Sequence, residues 1–467
     1  MNIRFAAFLA AIAAAAVSTA DALPRVHPGV HRTLRQQGFV NLIVILADTT
    51  ESTLESIQES EYATRTDRIN ALKSKLEAGN KKASLEVEAA LAKEVSGAFG
   101  SYKNFWISNQ LFIDSASFDL VEKLAGLSSV AEIREERSFP VFKPILEAED
   151  TNELVGQEWG VKKIGAPKVW ADGNIGQGVV VGTIDTGVLG THEALKRNFL
   201  GAYGWFDPEA KKPEPYDGNG HGTHTMGTIV GVKGVGVAPG AKWLACKGCR
   251  TEDCPESDLL DCAQFILCPT LTDGSASDCS KAPQVVSNSW GGGQSDNWYK
   301  PAVDAWIKAG IVPVFAQGNE GPACTTASSP GDYPNVIGVG ATTSVDKLAS
   351  FSSKGPTVNG RRKPDISAPG QSVRSSWNSA DNGYRSISGT SMATPHVAGA
   401  VALLLSAQPD LAIDEIKVAL YTTTDQVGLG STNYTCGGTS DKNWPNNQFG
   451  HGRLNVFNAY EGFRPAA

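Results

Sequence analysis

Apolar positions along this chain fall in two textures. Up to about residue 136 they come in short sets within charged sequence. VNLIVILAD (40 to 48) reads as a strand, and Ile69, Leu72 and Leu76 share one helical face in a charged stretch running to about Val95. Tyr102 to Ile113 alternates like a strand, Phe118 to Leu127 has helical spacing, and Val130 to Glu136 closes as a strand. The pattern predicts a compact α+β unit ordered strand, helix, strand, helix, strand. Around Pro140 to Asn152 it lapses into Pro and acidic residues, including Glu147, Glu149 and Asp150, and reads as a linker. Beyond the linker the apolar runs are continuous: VVVGTID (179 to 185), KWLACKG (242 to 248), QVVSNSW (284 to 290), IVPVFAQG (311 to 318) and VIGVGA (336 to 341). Helical stretches near 257 to 267, 298 to 309 and 391 to 406 alternate with them. Strands that are apolar at every position are buried on both faces, so this part predicts an α/β domain with a central parallel sheet covered by helices on both sides. Chemistry in such sheets collects beyond the carboxyl ends of the strands, and the polar motifs of this chain lie there.

Length and charge narrow the class. The 467 residues leave room for a large core and at least one further unit. The 41 Lys and Arg against 49 Asp and Glu give a net charge of −8 with no long basic run, which disfavours nucleic acid or an anionic membrane as partner. Residues 1 to 22 combine Arg4, an apolar run from Phe5 to Val17, and A-x-A-like cleavage options ending at Ala22. This is the pattern of a signal peptide, and the apolar run is shorter than the roughly 20 residues of a membrane span. The expected location is therefore secreted and extracellular, where cysteines pair. All eight Cys lie from Cys246 onward, six of them between Cys246 and Cys279. Spacing does not choose among the pairings, and Cys246-Lys-Gly-Cys249 lacks the second CxxC or His pair of a zinc site.

Three residues carry candidate chemistry. Asp185 ends the apolar strand VVVGTID, His221 sits in the Gly-rich stretch Asn219-Gly-His-Gly-Thr-His-Thr-Met-Gly227, and Ser391 opens an apolar helix in Gly389-Thr-Ser-Met-Ala-Thr-Pro-His-Val-Ala-Gly399. Singly, each has an ordinary use as a turn former, a packed imidazole or a helix cap. Together they supply what acyl transfer needs. A hydroxyl is a poor nucleophile until an imidazole takes its proton, and a carboxylate fixes the imidazole's tautomer and stabilises its charged form. The order Asp, His, Ser is one of those in which this geometry occurs. The tetrahedral intermediate needs preorganised donors for its oxyanion. Asn319, in Gly318-Asn-Glu-Gly321 at the end of IVPVFAQG, offers an amide, and the backbone N–H of Ser391 offers a second donor.

These motifs resemble those of the subtilisin-like (subtilase) family of serine endopeptidases. The matches are Asp185-Thr-Gly, His221-Gly-Thr-His, Ser289-Trp290-Gly291-Gly292, Gly318-Asn319-Glu320-Gly321 and the Ser391 segment, in family order from about Trp159 to Val456. The stretches GAPKVWADGNIGQGVVVGTIDTGV, DGNGHGTHTMGTIVG, GVAPGAKWLACK and KPDISAPG resemble the bacillopeptidase F-like branch most. The resemblance implies a subtilisin-like catalytic domain, with Asp185 as orienting acid, His221 as general base then acid, Ser391 as nucleophile and Asn319 as oxyanion donor. It implies that Ser289, Trp290, Gly291 and Gly318 belong to the substrate-binding strands, the substrate adding as a further β-strand. Residues from 39 to about 140 are similar to the family's propeptide, a ferredoxin-like folding template and inhibitor that the enzyme removes. The implied division is signal peptide 1–22, propeptide 23–148 and peptidase domain 149–467.

The chain departs from the family in one stretch. Thr228 to Gly240 is short and has no acidic or amide ligands, so the family's high-affinity calcium loop is expected to be missing, and no metal or other cofactor is assigned. Weaker calcium sites elsewhere are left open. Met392 stands beside the nucleophile, where a sulfoxide would impair activity and where packing is its other use. His224 and His396 read as structural, Trp290 as an aromatic wall of the cleft, Glu320 as an attraction for basic side chains, and Asn433-Tyr-Thr as a glycosylation sequon. The expected activity is that of a secreted, autoprocessed endopeptidase, most simply a monomer, acting on broad protein and peptide substrates with an apolar preference and inhibited by its own propeptide. The alternatives are a selective processing protease with few partners and, against the full set of site residues, a non-catalytic binding protein on the same scaffold.

Overall fold

The computed structural model describes residues 25–149, 156–430 and 433–464; the segment read as a signal peptide lies outside the described residues. The N-terminal unit is a five-stranded sheet of β1 (Arg25–Val26), β2 (Val40–Leu46), β3 (Tyr102–Phe105), β4 (Gln110–Ala116) and β5 (Val130–Glu135), in the order β1-β5-β2-β4-β3. Helices Pro28–Gln37, Arg65–Leu91 and Phe118–Ala125 accompany it. The strands β2 and β5 and the helices from Arg65 and Phe118 fall where periodicity put them. Tyr102 to Ile113, read as one strand, is a hairpin, because Trp106 to Asn109 turn the chain and Asn109 adopts φ +51°. The 27-residue helix begins where Thr64 Oγ1 accepts the N–H of Asp67 at 3.1 Å. It buries Ile69, Leu72 and Leu76 in a core shared with the following domain, and Ala83, Val87 and Leu91 in the unit's own core.

The larger domain is built on seven parallel strands: β8 (Val180–Ile184), β9 (Trp205–Phe206), β10 (Lys242–Cys246), β12 (Val285–Asn288), β13 (Val312–Ala316), β14 (Ile337–Thr342) and β15 (Ile366–Pro369). Their order is β15-β14-β13-β12-β8-β10-β9, so the chain reverses direction across the sheet at β8. Helices His221–Val230 and Thr390–Ala407 cover one face, and Glu256–Leu267 and Lys300–Lys308 cover the other. The Thr390–Ala407 helix is long and apolar enough to cross a membrane, and here it is the central helix of the core. The four disulfides are Cys246–Cys262, Cys249–Cys254, Cys268–Cys279 and Cys324–Cys436. Cys246 and Cys249 thus bond to different partners. Three of the bridges cluster around the Glu256–Leu267 helix, and Cys246–Cys262 ties it to β10.

In the segment read as a linker, about Pro140 to Asn152, Pro140 ends one strand and Ile145–Glu149 forms another, while residues 150–152 lie outside the described residues. Residues Ser138–Pro140 (β6) pair antiparallel with Asp253–Pro255 (β11), and Ile145–Glu149 (β7) pairs antiparallel with Tyr384–Ser388 (β17), itself paired with Val373–Ser376 (β16). Such a partner-supplied ladder leaves no periodicity in the segment itself, since each half alternates only against its neighbour. The N-terminal unit also docks through charge. Glu256 takes the guanidinium groups of both Arg134 and Arg137 with its carboxylate fully buried, Lys103 pairs with Asp261 at 2.6 Å, and the Arg65 guanidinium donates to the carbonyls of Ala309 (3.0 Å), Ala282 (3.2 Å) and Pro283 (2.6 Å).

Cys324 and Cys436 lie 112 residues apart and close the longest of the covalent loops. Replacing both with Ser is expected to lower the unfolding free energy by about 4 kcal/mol through the greater freedom of the unfolded chain. Urea denaturation checks this, and a loss below about 1 kcal/mol would show that the cross-link does not act that way.

Candidate active site

Asp185 follows β8 directly, at the carboxyl end of the strand where the sheet reverses direction. Its carboxylate is buried and fully engaged. Oδ1 accepts from His221 Nδ1 at 2.8 Å and from the Thr186 backbone N–H at 2.7 Å, while Oδ2 accepts from Thr225 Oγ1 at 3.2 Å. Because Nδ1 donates, the neutral imidazole presents Nε2 as a bare acceptor, and among the described residues that atom has no hydrogen-bond partner.

Glycine permits this approach. A Cβ on Gly222 would lie 2.0 Å from the Gly187 carbonyl oxygen, and one on Gly187, at φ +107°, would lie 2.0 Å from that of Tyr216. Asp217, which the sequence reading passed over, fixes the loop into the helix. Its Oδ1 accepts from Thr186 Oγ1 and the N–H groups of Asn219 and Gly220, all at 2.9 Å, and its Oδ2 accepts from Thr223 N (2.9 Å) and Oγ1 (2.7 Å). The signal for it was the Asp-Gly-Asn-Gly run ahead of a helix, an Asx-type turn.

Ser391 is buried in the first turn of the Thr390–Ala407 helix, and it and Ser289 exchange hydroxyl-to-carbonyl hydrogen bonds of 3.4 and 3.3 Å. Among the described residues no hydrogen bond joins Ser391 Oγ to His221 Nε2. The two sides of the site meet at Trp377: its ring lies 2.5 Å from where a Gly220 Cβ would be and packs with Met392. Asn319 is aimed by Thr390, a second residue that the sequence reading left unused. The Thr390 N–H and Oγ1 both donate to Asn319 Oδ1 at 2.9 Å, which turns Nδ2 outward to donate to the Lys143 carbonyl at 3.3 Å. Gly318, at φ +108°, leaves no room for a side chain among Glu320, Ser328 and Ser353.

The predicted substrate strand is occupied. Val141 bridges Trp290 in antiparallel pairing, the Gly291 N–H lies 3.5 Å from the Pro140 carbonyl, and the Val141 N–H donates to Glu252 O at 3.1 Å. The Trp290 ring differs from its expected place: it is buried against Trp298, Tyr299 and Phe315, and Trp298 supplies the aromatic face, stacked on Phe139 at 4.9 Å. Glu320 is held by Ser353 Oγ at 3.0 Å. Met392 is fully buried in its cluster with Val373, Trp377 and Ile387, so packing is its role in the fold. Asn433 of the sequon is exposed. Among the described residues no three His, Cys, Asp or Glu side chains converge as a metal would need.

Residues 176–452 match the family model described as the subtilase family. The chain belongs to the subtilase family. Asp185, His221, Ser289, Asn319 and Ser391 all fall in the matched region. The subtilase is similar to Bacillopeptidase F of Bacillus subtilis (strain 168), 36% identical over 387 residues that make up 76% of this chain and 26% of that protein. It is also similar to Subtilisin DY of Bacillus licheniformis, 36% identical over 276 residues, 58% of this chain and 92% of that protein. Serine protease AprX of Bacillus subtilis (strain 168) is 35% identical over 284 residues, 54% of this chain and 62% of that protein. The subtilase thus spans about a quarter of the length of Bacillopeptidase F.

His224 and His396 are structural in the subtilase. His224 Nε2 donates to the carbonyls of Val373 (2.9 Å) and Arg385 (3.2 Å), and His396 Nδ1 donates to Met392 O at 2.8 Å. Burial, first of all, lowers the His224 pKa to about 3 and that of His396 to about 4. In the unfolded chain both titrate near 6.5, so the unfolded state binds protons that the folded state refuses. Their contribution to stability is whole above about pH 6.5 and is lost as pH falls toward 4 and 3. The unfolding free energy is expected to drop by roughly 1.4 kcal/mol per pH unit for each imidazole in that window. Denaturation at a series of pH values checks this, with a shallower slope expected for His396→Gln; an unchanged slope would contradict it.

Proposed function

We propose that this subtilase is a secreted serine endopeptidase made as a precursor: signal peptide 1–22, inhibitory propeptide 23–148 and peptidase domain 149–467. The observation that carries the reading is the buried Asp185–His221 pair at the carboxyl end of a parallel sheet, and Trp377, packed between Gly220 beside His221 and Met392 beside Ser391, supports joining the serine to it. In the proposed reaction Ser391 Oγ attacks the substrate carbonyl carbon while its proton passes to His221 Nε2. Asp185 holds the imidazole in the Nδ1–H tautomer and stabilises the imidazolium. The oxyanion is met by Asn319 Nδ2 and the Ser391 N–H, the latter in the first helical turn, where N–H groups lack intrahelical partners. The amine leaves with the proton from His221, and water then hydrolyses the acyl-enzyme by the same route. The reaction as written uses no cofactor.

Substrates are proposed to bind as an extended strand between residues 252–255 and 289–291, the place that the chain's own residues 138–141 fill. Burial of Phe139, Val141 and Phe142 there supports an apolar preference. The same occupancy supports the inhibitory role of the N-terminal unit. Secretion is supported by the four disulfides and by the leading segment of the sequence.

Ser391→Ala is expected to leave the precursor uncut and abolish fluorophosphonate labelling and casein hydrolysis. Asp185→Asn is expected to lower kcat roughly 10⁴-fold, and Asn319→Ala roughly 10²- to 10³-fold. A Ser391→Ala chain that still matures in the absence of other proteases and cleaves casein would remove the assignment.

A further inference from the structure

We infer that the bond this enzyme cuts to free itself is Phe142–Lys143, which moves the end of the propeptide from 148, where the family resemblance set it, to 142. The inference rests on the endopeptidase reading above and adds a register to it.

Residues 138–141 form the middle strand of three. On one side β6 pairs with β11 in the register Ser138↔Pro255, Phe139↔Cys254 and Pro140↔Asp253, continued by the Val141 N–H to Glu252 O; on the other side Val141 pairs with Trp290. The ladder stops at Val141. Phe142 follows with its side chain enclosed: the residue is 4% exposed, and its Cζ lies 3.0 Å from where a Gly291 Cβ would stand, so glycine at 291 is what leaves the ring its place. Phe139 is buried in the same way, its ring stacked on Trp298 at 4.9 Å, under the Arg137 guanidinium at 5.4 Å. Two aromatic side chains are therefore seated on the near side of the site. Beyond Phe142 the character changes. The Lys143 side chain is 78% exposed with Nζ 3.2 Å from Glu252, and by Ile145 the chain pairs with β17, on the far side of the cleft. Pinned at both ends, the chain crosses the site between Phe142 and Pro144.

Two bonds compete in that interval. Asn319 Nδ2 rests on the Lys143 carbonyl at 3.3 Å, one residue beyond the Phe142 carbonyl. Cutting after Lys143 would make Pro144 the leaving group, a ring nitrogen without N–H whose Cδ crowds the preceding residue. It would also place an exposed lysine where the chain seats a buried ring. Cutting after Phe142 needs only that the Asn319 amide move to the adjacent carbonyl. Ser391 Oγ then bonds to the Phe142 carbonyl carbon, the C–N bond to Lys143 breaks, and the Lys143 nitrogen takes the proton held by His221. Water releases Phe142 as a free carboxylate.

The full-length chain is allowed to mature in vitro, and the N-terminal fragment is taken at the earliest time point for mass spectrometry. A fragment ending at Phe142 is expected. An end at Lys143 or at any other residue overturns the inference, and if fluorophosphonate still labels Ser391 the endopeptidase reading survives that outcome. Phe142→Asp in the full chain is expected to slow first cleavage roughly 10-fold or more with the Ser391 label retained, and first cleavage at an unchanged rate overturns the inference.

Discussion

A buried carboxylate and a buried imidazole share a 2.8 Å hydrogen bond at the end of a central strand, and the geometry around them exists to make that contact possible. A buried carboxylate is costly unless its lone pairs are filled, and Asp185 fills them from three directions: His221, the Thr186 backbone and Thr225. Two of these donors come from the His221 helix, which requires the strand end and the start of that helix to pack closer than any side chain allows. Gly187 and Gly222 provide that closeness, and Asp217 ties the loop so that it cannot drift. The parallel sheet, covered on both faces, gives the pair a floor with little freedom to relax.

The same rigidity bears on how the N-terminal unit occupies the cleft. Its last strand, β5, leads through Arg137 into β6, so docking of the unit and filling of the cleft are one continuous event along the chain. The buried Glu256 carboxylate receives both Arg134 and Arg137, and Glu136 accepts the Ser257 N–H at 3.2 Å at the start of the same helix. That helix is tethered to the sheet by Cys246–Cys262, so the surface that grips the unit is itself held. Arg65 adds an anchor remote from the cleft by satisfying the Ala309 carbonyl at the end of the Lys300–Lys308 helix. On the proposed reading, separation of the unit after cleavage must break all of these contacts.

Much of this was legible from the chain alone. The continuous apolar runs named five of the seven parallel strands, because a strand buried on both faces has only one kind of residue to offer, and the three helical stretches fell within a few residues of their observed ends. Asp185, His221, Asn319 and Ser391 stood out because each closes or opens an element at a glycine-rich turn. What escaped was whatever depends on a partner from elsewhere in the chain. The β3–β4 hairpin alternated through its turn and so resembled one strand. Residues from about Pro140 to Asn152 resembled a linker because the ladders formed there as far as Glu149 belong half to other segments. Trp290 was read as a cleft wall, whereas its ring turns inward and Trp298, with no motif to mark it, takes Phe139.

The sequence by itself determined the sheet, the order of the site residues and the chemistry those residue types can perform, since hydrophobic period and side-chain type are local properties. Only the tertiary structure decided which cysteines pair, how Asn319 is oriented by Thr390, and which of the chain's own residues lie across the site. The farthest of these relations join segments 112 residues apart for Cys324 and Cys436, 176 for Asn319 and Lys143, and 244 for Arg65 and Ala309. They are set by how two covered faces and a docked unit pack together, and no local pattern encodes them.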